Sequence, residues 1–444
     1  MNRFLLLVAF FALLATATAS TEYQKPEQLY AWRGIQVDVA RHYFDLATLE
    51  KLVDVAAHLH LNVLHIHFTD DNAWRLPTNR YPRVISAQYY TLRELQELVA
   101  YAKQRGVTIV PEIDLPAHST AVVRAYPKLA CGSSSELCAS NATMFADSEI
   151  SELLPMFPSP WIHLGGDEVT SWTKQERRAF ETHVTATLRR AHRTAVVWDE
   201  EADVAPRDAI VMVWHLGNAA RGAMESGHRV VMASDGPLYF NAAQGDPSQE
   251  PPASRYVTTL EEVYAFSPPT GALGLEATLW SEKIATPRAL WYMLLPRALA
   301  LAEIASTPPE RKSWQRFYHS LPAQLAWLDQ RGYTYRVPNV MFHVNDPEAR
   351  FESVAGNVNA ARVYVNKAVL ITAESATASG TTYIRSNHGP WLRVAQMRNV
   401  LPGATIEAYS ETHRRRGAVT TLYVRRLEHG TTAHSLTFDA VVSP

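Results

Sequence analysis

The segment Asp45-Leu-Ala-Thr-Leu-Glu-Lys-Leu-Val-Asp-Val-Ala-Ala-His-Leu-His-Leu-Asn-Val-Leu-His-Ile-His-Phe68 decides the fold. Leu46, Leu49, Leu52, Val53, Ala56 and Leu59 recur at helical spacing behind Asp45, a suitable N-cap, so the first part predicts an amphipathic helix. Residues 62–68 form a short apolar run that predicts a buried strand. Upstream, residues 35–39 read as another strand. Strand, helix, strand is the unit of a parallel sheet, and it repeats down the chain. Thr91-Leu-Arg-Glu94 is a capping box opening a helix that Gly106 closes. Further strands are predicted at 107–113, 161–164, 195–198, 210–214, 228–233 and 273–279. A second capping box lies at Thr173-Lys-Gln-Glu176, and a helix is expected over 287–305. Eight strands alternating with helices predict an α/β fold, a (β/α)8 TIM barrel over residues 20–335; such a barrel takes about 250 residues or more.

After Tyr335 the pattern changes. Short β-prone runs at 361–365, 368–373, 381–385, 391–394, 405–409 and 420–425 are punctuated by Gly, Asn and Ser. They predict a C-terminal β-sandwich-like domain over 336–444. At the other end, Asn2-Arg3, the apolar run 4–15 and Ala17-Thr-Ala19 have the layout of a cleaved secretory signal peptide over 1–19. The protein is therefore expected to be secreted, whether extracellular, periplasmic or lysosomal. No later run approaches about 18 apolar residues, so no membrane span is expected in the mature chain. Cys131 and Cys138, the two cysteines, are close enough in an exported chain to predict a loop-closing disulfide. Asn141-Ala-Thr143 beside them is a glycosylation sequon, making a glycoprotein in a eukaryotic host. The 444 residues are 47% hydrophobic with a formal net charge of −2, which offers no basic surface for nucleic acid.

A barrel of this kind places its site at the C-terminal ends of the strands. The first strand opens with Arg33 and carries Asp38, with Arg41-His42 just beyond. The next three end at His65-Ile-His-Phe-Thr-Asp70-Asp71, Pro111-Glu-Ile-Asp-Leu-Pro-Ala-His118 and His163-Leu-Gly-Gly-Asp-Glu168. The last four lead to Trp198-Asp-Glu200, Trp214-His215, Tyr239-Phe-Asn241 and Trp280-Ser-Glu282. Carboxylates among aromatics suit a sugar, whose C–H faces stack on indole and whose hydroxyls take charged partners. Gly165-Gly166 removes side-chain bulk in front of Asp167 and Glu168. Neighbours at a strand end point in different directions, so the two acids are expected to have different roles. Residues alone thus give a carbohydrate-active barrel with an acidic pair. A metal-dependent amidohydrolase using His65 and His67 is the competing reading, since alternate strand positions share a face.

The segments Arg33-Gly-x-x-x-Asp38-x-x-Arg41-His42, His65-x-His67-x-Thr69-Asp70-Asp71-x-x-Trp74-Arg75, Pro111 to His118 and His163-x-Gly-Gly-Asp167-Glu168 resemble family 20 glycoside hydrolases, the β-N-acetylhexosaminidases. The resemblance covers about residues 30 to 310, and the β-rich tail is weakly similar to the C-terminal domain of chitobiase-type members. It implies a retaining exo-hydrolase in which the substrate's acetamido group is the nucleophile. Glu168 is then the general acid and base, and Asp167, assisted by Tyr239, orients the acetamido group. Asp70 and His118 relay charge to the acid. Trp198, Trp214 and Trp280 wall the pocket, while Arg33, Asn241 and Glu282 bind sugar hydroxyls. Asn241 stands where the family often has an aspartate. Stretches 83–90 and 138–161 are shorter than usual, and about a dozen residues separate the signal from Trp32 where the family often carries another domain. No metal or cofactor is implied. The partners implied are β-linked N-acetylhexosamine glycans, and a homodimer is compatible with the family. A noncatalytic sugar-binding barrel is the alternative.

Overall fold

The computed structural model describes residues 29–427, apart from 133–134, 378–379 and 413–414, and the backbone of 442–443. The expected signal peptide lies outside the described residues. Eight parallel strands close into a barrel: β1 (Trp32–Asp38), β2 (Val63–His67), β3 (Thr108–Glu112), β4 (Trp161–His163), β5 (Thr194–Trp198), β6 (Ile210–Val213), β7 (Arg229–Met232) and β8 (Gly274–Leu279). Each pairs with its sequence neighbour, and β8 closes on β1 with Trp32 opposite Gly274. The connecting helices start where capping was expected. Asp45 accepts from the Thr48 amide at 2.9 Å, and Thr91 with Glu94 and Thr173 with Glu176 form complete capping boxes.

Strand periodicity sorts the side chains into two cores. Ile35, Val37, Leu64, Ile66, Ile109, Val197 and Val211 face outward and pack under the helices. Trp32, Val63, Val110, Val196, Trp198, Ile210, Met212 and Val231 fill the barrel's interior. By the same parity Asp38, His65, His67, Glu112 and Glu276 point inward, and all are fully buried. The apolar plug fills the lower barrel, so the polar side chains collect toward the strands' C-terminal ends.

Two expectations need correction. The helix over 287–305 is two helices, Pro287–Leu294 and Arg297–Ser306, bent by 45°. Pro296 between them has no amide proton and its ring blocks continuation, so the ladder stops there. Residues 391–394 form no strand; the ladder strand is Gln396–Val400, and Leu392 makes only an isolated bridge to Ile384. A further helix, Trp314–Gln330, is not among the expected elements; it lays Phe317, Leu321, Leu325 and Leu328 on the barrel.

The C-terminal region is sheet-rich, with a four-stranded and a six-stranded sheet enclosing Val340, Phe342, Val363, Ile371, Ile384, Ile406, Leu422 and Val424. It is pinned to the barrel by polar contacts. The Tyr318 hydroxyl donates to Asn339 O at 2.8 Å, Arg336 pairs with Glu250 at 2.6 Å, and Arg415 reaches Asp329 at 3.2 Å. Cys131 and Cys138 are disulfide-bonded, with Cα atoms 4.9 Å apart. The Asn141 side-chain amide donates to Lys128 O at 3.0 Å. Among the described residues no single helix is long and apolar enough to cross a membrane.

Candidate active site

The loop after β4 carries the two acids in an unusual backbone. Gly165 and Gly166 have φ of +74° and +92°, and Glu168 itself has φ of +54°. Side chains do not fit at the glycines: a Cβ on Gly165 would lie 1.8 Å from Asp114 Oδ1, and one on Gly166 2.7 Å from Glu201 Cγ. The loop's amides are held by side chains rather than by a ladder. Gly165 N–H donates to His163 Nδ1 at 3.0 Å, Gly166 N–H to Asp114 Oδ1 at 3.3 Å, and Glu168 N–H to Glu200 Oε2 at 2.9 Å. Farther on, Glu136 of the disulfide loop takes the amides of Thr170 and Ser171.

The acids have different surroundings, as expected of neighbours at a strand end. Glu168 has a side chain 65% exposed, whereas that of Asp167 is 16% exposed. Asp167 Oδ1 is buried without a hydrogen-bond partner. His118, at φ of +46°, stands between them, with Nε2 3.5 Å from Asp167 Oδ2 and 3.4 Å from Glu168 Oε2. Its Nδ1 lies 3.5 Å from Asp71 Oδ2 and 3.9 Å from Asp70 Oδ2. Burial works against charge on His118. Asp114, Asp167 and Asp71 outweigh it, so the imidazole keeps its proton well above the usual histidine range.

Behind His118 runs a buried charge network. His67 sits between Glu112 (2.6 Å) and Asp70 (2.9 Å), and Asp70 also binds Arg41 at 2.8 Å. Arg41 pairs with Asp38 at 3.2 Å and lies 3.6 Å from Glu282. Glu112 accepts from the Trp198 indole N–H at 2.9 Å and faces His65 and His163. Burial opposes a proton on His65 and His67, but Glu276 with Glu112 holds His65 up to about 9, and Glu112 with Asp70 holds His67 well above the usual histidine range. Both histidines hydrogen-bond to buried carboxylates, and each belongs to a tight group around Glu112, His65 with His163 and His67 with Asp114.

A chain of aromatic rings lines the interior. Trp198 lies 5.9 Å from Trp280, Trp280 6.4 Å from Tyr239, and Tyr239 6.5 Å from Trp214. Trp280 also receives the Arg41 guanidinium over its ring at 5.2 Å. Burial raises the Tyr239 hydroxyl's pKa and nearby Asp167 adds to this, so Tyr239 remains an O–H donor. The Tyr239–Asn241 segment is fixed from below by Arg297, wholly buried, which donates to Phe240 O at 2.6 Å and Ala242 O at 3.1 Å.

The structure thus brings together Asp70, His118, Asp167, Glu168, Trp198, Trp214, Tyr239, Trp280 and Glu282, with Asn241 half-buried two residues past Tyr239. Arg33 is not among them. It is the second residue of β1, on the outward parity of Ile35 and Val37, and its side chain donates to the carbonyls of His60 and Tyr30. Five residues of strand, about 16 Å, separate it from Asp38 at the site end. The arginine at the site is Arg41, just beyond β1, for which the sequence suggests no specific role. Asp114 and Glu200 were also given no role. Asp114 could have been found from its parity with Glu112 on the same strand end, whereas nothing local marks Glu200.

Residues 30–309 match the family description "Glycosyl hydrolase family 20, catalytic domain". The chain is 31% identical over 372 residues to a β-hexosaminidase of Porphyromonas gingivalis, covering 71% of this chain and 48% of that protein. It is 31% identical over 385 residues to a β-hexosaminidase of Akkermansia muciniphila, covering 73% and 77%. The first of these relatives is thus spanned over only about half its length. Among solved structures, the exo-β-N-acetylglucosaminidase of Vibrio harveyi, determined with N-acetylglucosamine, aligns with a TM-score of 0.66 at 25% identity, covering 70% of this chain and 59% of that one. The β-N-acetylhexosaminidase of Streptomyces coelicolor aligns with a TM-score of 0.66 at 26% identity, covering 69% and 71%. The matched segment contains the whole barrel and every residue of the site, and on these grounds the chain belongs to glycosyl hydrolase family 20.

Proposed function

We propose that this chain is a secreted, retaining exo-β-N-acetylhexosaminidase that removes terminal β-linked N-acetylglucosamine or N-acetylgalactosamine from glycans, with the substrate's own acetamido oxygen as nucleophile. The observation that carries this reading is the unequal setting of Asp167 and Glu168. Asp167 presents a buried, unpartnered carboxylate oxygen beside a Tyr239 hydroxyl that stays protonated. An acetamide has the complementary groups: its N–H donates to Asp167 and its carbonyl accepts from Tyr239. Held this way, the carbonyl oxygen is directed at C1, and the negative charge of Asp167 stabilises the oxazolinium ion that its attack forms. Glu168, exposed beside the leaving group, protonates the departing oxygen and then takes a proton from the attacking water. Arg41 and Glu282 hold hydroxyls of the terminal sugar, and Trp198, Trp214 and Trp280 enclose its N-acetyl face. The names of the relatives and the N-acetylglucosamine in the Vibrio harveyi complex support the substrate class.

The test is chromophore release from aryl N-acetyl-β-glucosaminide and N-acetyl-β-galactosaminide by wild type and Glu168→Gln. Turnover by the wild type, β-configured product at first appearance by NMR, and a rate loss of about 10²-fold or more in Glu168→Gln are expected. Undiminished turnover in Glu168→Gln sinks the assignment. A folded wild type that binds the sugar without turnover favours the noncatalytic reading, for which Asn241 is the motivating residue.

A further inference from the structure

Glu200 lies outside the roles assigned above, yet its carboxylate touches the backbone of the acid. Glu168 is a non-glycine residue at φ of +54°, a conformation that sterics disfavour for an L-residue. Such a residue persists only where its surroundings over-determine it. Its amide is satisfied by Glu200 Oε2 at 2.9 Å. Glu200 is itself fixed on a short 3-10 turn, Asp199–Glu201, directly after β5. Both flanking carboxylates are tied: Asp199 to His215 at 3.1 Å, and Glu201 to Arg177 at 2.7 Å with its Cγ under Gly166. The Arg177 guanidinium also donates to the Glu200 carbonyl. The turn is thus a rigid abutment, and Glu200 is the one member of it that reaches past the glycines to the acid.

We propose that Glu200 is a positioning residue for general-acid catalysis: it clamps the Glu168 amide and thereby holds the acid in its left-handed backbone conformation, aimed at the leaving oxygen. This deepens the functional reading above and rests on it. The amides of Gly165, Gly166, Thr170 and Ser171 have their own acceptors, namely His163, Asp114 and Glu136. Losing Glu200 therefore frees the backbone at Glu168 while Asp167 keeps its anchor through Gly166. Sugar binding and acetamide participation should survive, and proton delivery should suffer.

The experiment compares wild type, Glu200→Ala, Glu200→Gln and Glu168→Gln on two substrates. One is an N-acetyl-β-glucosaminide with a dinitrophenyl leaving group, which departs without protonation. The other is the disaccharide of β-1,4-linked N-acetylglucosamine, whose sugar leaving group needs an acid. Glu200→Ala is expected to lose about 10–100-fold in kcat on the disaccharide, with KM changed little and the dinitrophenyl rate changed by less than about 3-fold. Glu200→Gln keeps an acceptor oxygen for the amide and should recover most of the loss. Thermal unfolding of each variant checks that the fold is kept. Equal losses on both substrates, or no rescue by Gln, would mean that Glu200 supports the fold or the sugar and not the acid; either result overturns the proposal. An unimpaired Glu200→Ala overturns it as well. If Glu168→Gln is active on the disaccharide, the functional reading itself fails, and that outcome is separate from the other three.

Discussion

Replacing Gly165 by alanine adds one methyl group two residues before Asp167, and its effect can be worked from coordinates. The new Cβ would lie 1.8 Å from Asp114 Oδ1, 2.5 Å from its Cγ and 2.7 Å from its backbone Cα. Rotating Asp114 relieves the first two contacts at the expense of its hydrogen bond to Gly166. It does nothing for the third, so β3 and the loop after β4 must separate by roughly 1 Å to reach ordinary carbon contact. The φ of +74° adds about 1–2 kcal/mol for any residue with a Cβ. Overpacking in a rigid interior adds about 1–3 kcal/mol. The sum is a destabilisation of roughly 2–5 kcal/mol, a large part of the usual 5–15 kcal/mol total. Because the shift falls on the catalytic loop, kcat should drop about 10²-fold in the protein that remains folded. Gly217→Ala is the control. Gly217 has φ of +79° with no atom within 4 Å of a Cβ, so only the backbone term of about 1–2 kcal/mol applies. Urea unfolding gives the stabilities and aryl-glycoside hydrolysis gives kcat. A Gly165→Ala protein as stable as Gly217→Ala, with wild-type kcat, would refute the claim that close packing against Asp114 fixes this loop.

Three further outcomes are expected. Arg33→Ala should lower stability modestly and leave kcat/KM within about 3-fold, whereas Arg41→Ala, which removes the guanidinium paired with Asp38 and Asp70, should lose about 10²-fold or more; steady-state kinetics on both variants decides, and equal effects would contradict the placement of Arg33. Burial raises Glu149 to about 8 from a carboxylate's ordinary value, so the native state holds a proton that the unfolded chain releases near pH 4.5. Its contribution is present in full below that pH and is lost as pH rises toward 8. Urea midpoints should therefore fall across this window, and Glu149→Gln should flatten the decline. Breaking the Cys131–Cys138 bridge with a Cys131→Ser, Cys138→Ser double variant should cost about 2–3 kcal/mol of stability by loop entropy. It should also lower kcat, because the bridged loop carries Glu136, which holds the amides of Thr170 and Ser171. Unchanged kcat in the folded double variant would argue against that coupling.

Much of this architecture could be read from local pattern, because its causes are local. Helical spacing behind Asp45, capping boxes at Thr91 and Thr173, and apolar runs of strand length fix where the barrel's elements begin and end. The Gly-Gly-Asp-Glu segment marked its own acids, since the two glycines remove side-chain bulk in front of them. Parity along β1 was legible too: Arg33 and Asp38 are five residues apart, an odd spacing that puts them on opposite faces of a strand. By that rule Arg33 faces away from the side that carries Asp38, which leaves Arg41, just past the strand, as the arginine of the site.

Other features came only from the folded chain. Pro296 broke a helix that apolar periodicity ran straight through. Residues 391–394 have strand-like composition, yet pairing partners were available only to 396–400, because a strand is defined by its neighbours and not by itself. Glu200 meets the Glu168 amide across 32 residues, and His67 meets Glu112 across 45, at spacings no local rule predicts. The sequence by itself determined the barrel, the acidic pair and the aromatic complement, since these follow from periodicity and residue chemistry. The tertiary structure decided which charges face which, and hence the proton on His118, the exposure of Glu168 and the burial of Asp167. Burial and Coulomb interactions depend on distances that exist only once the eight strands have closed.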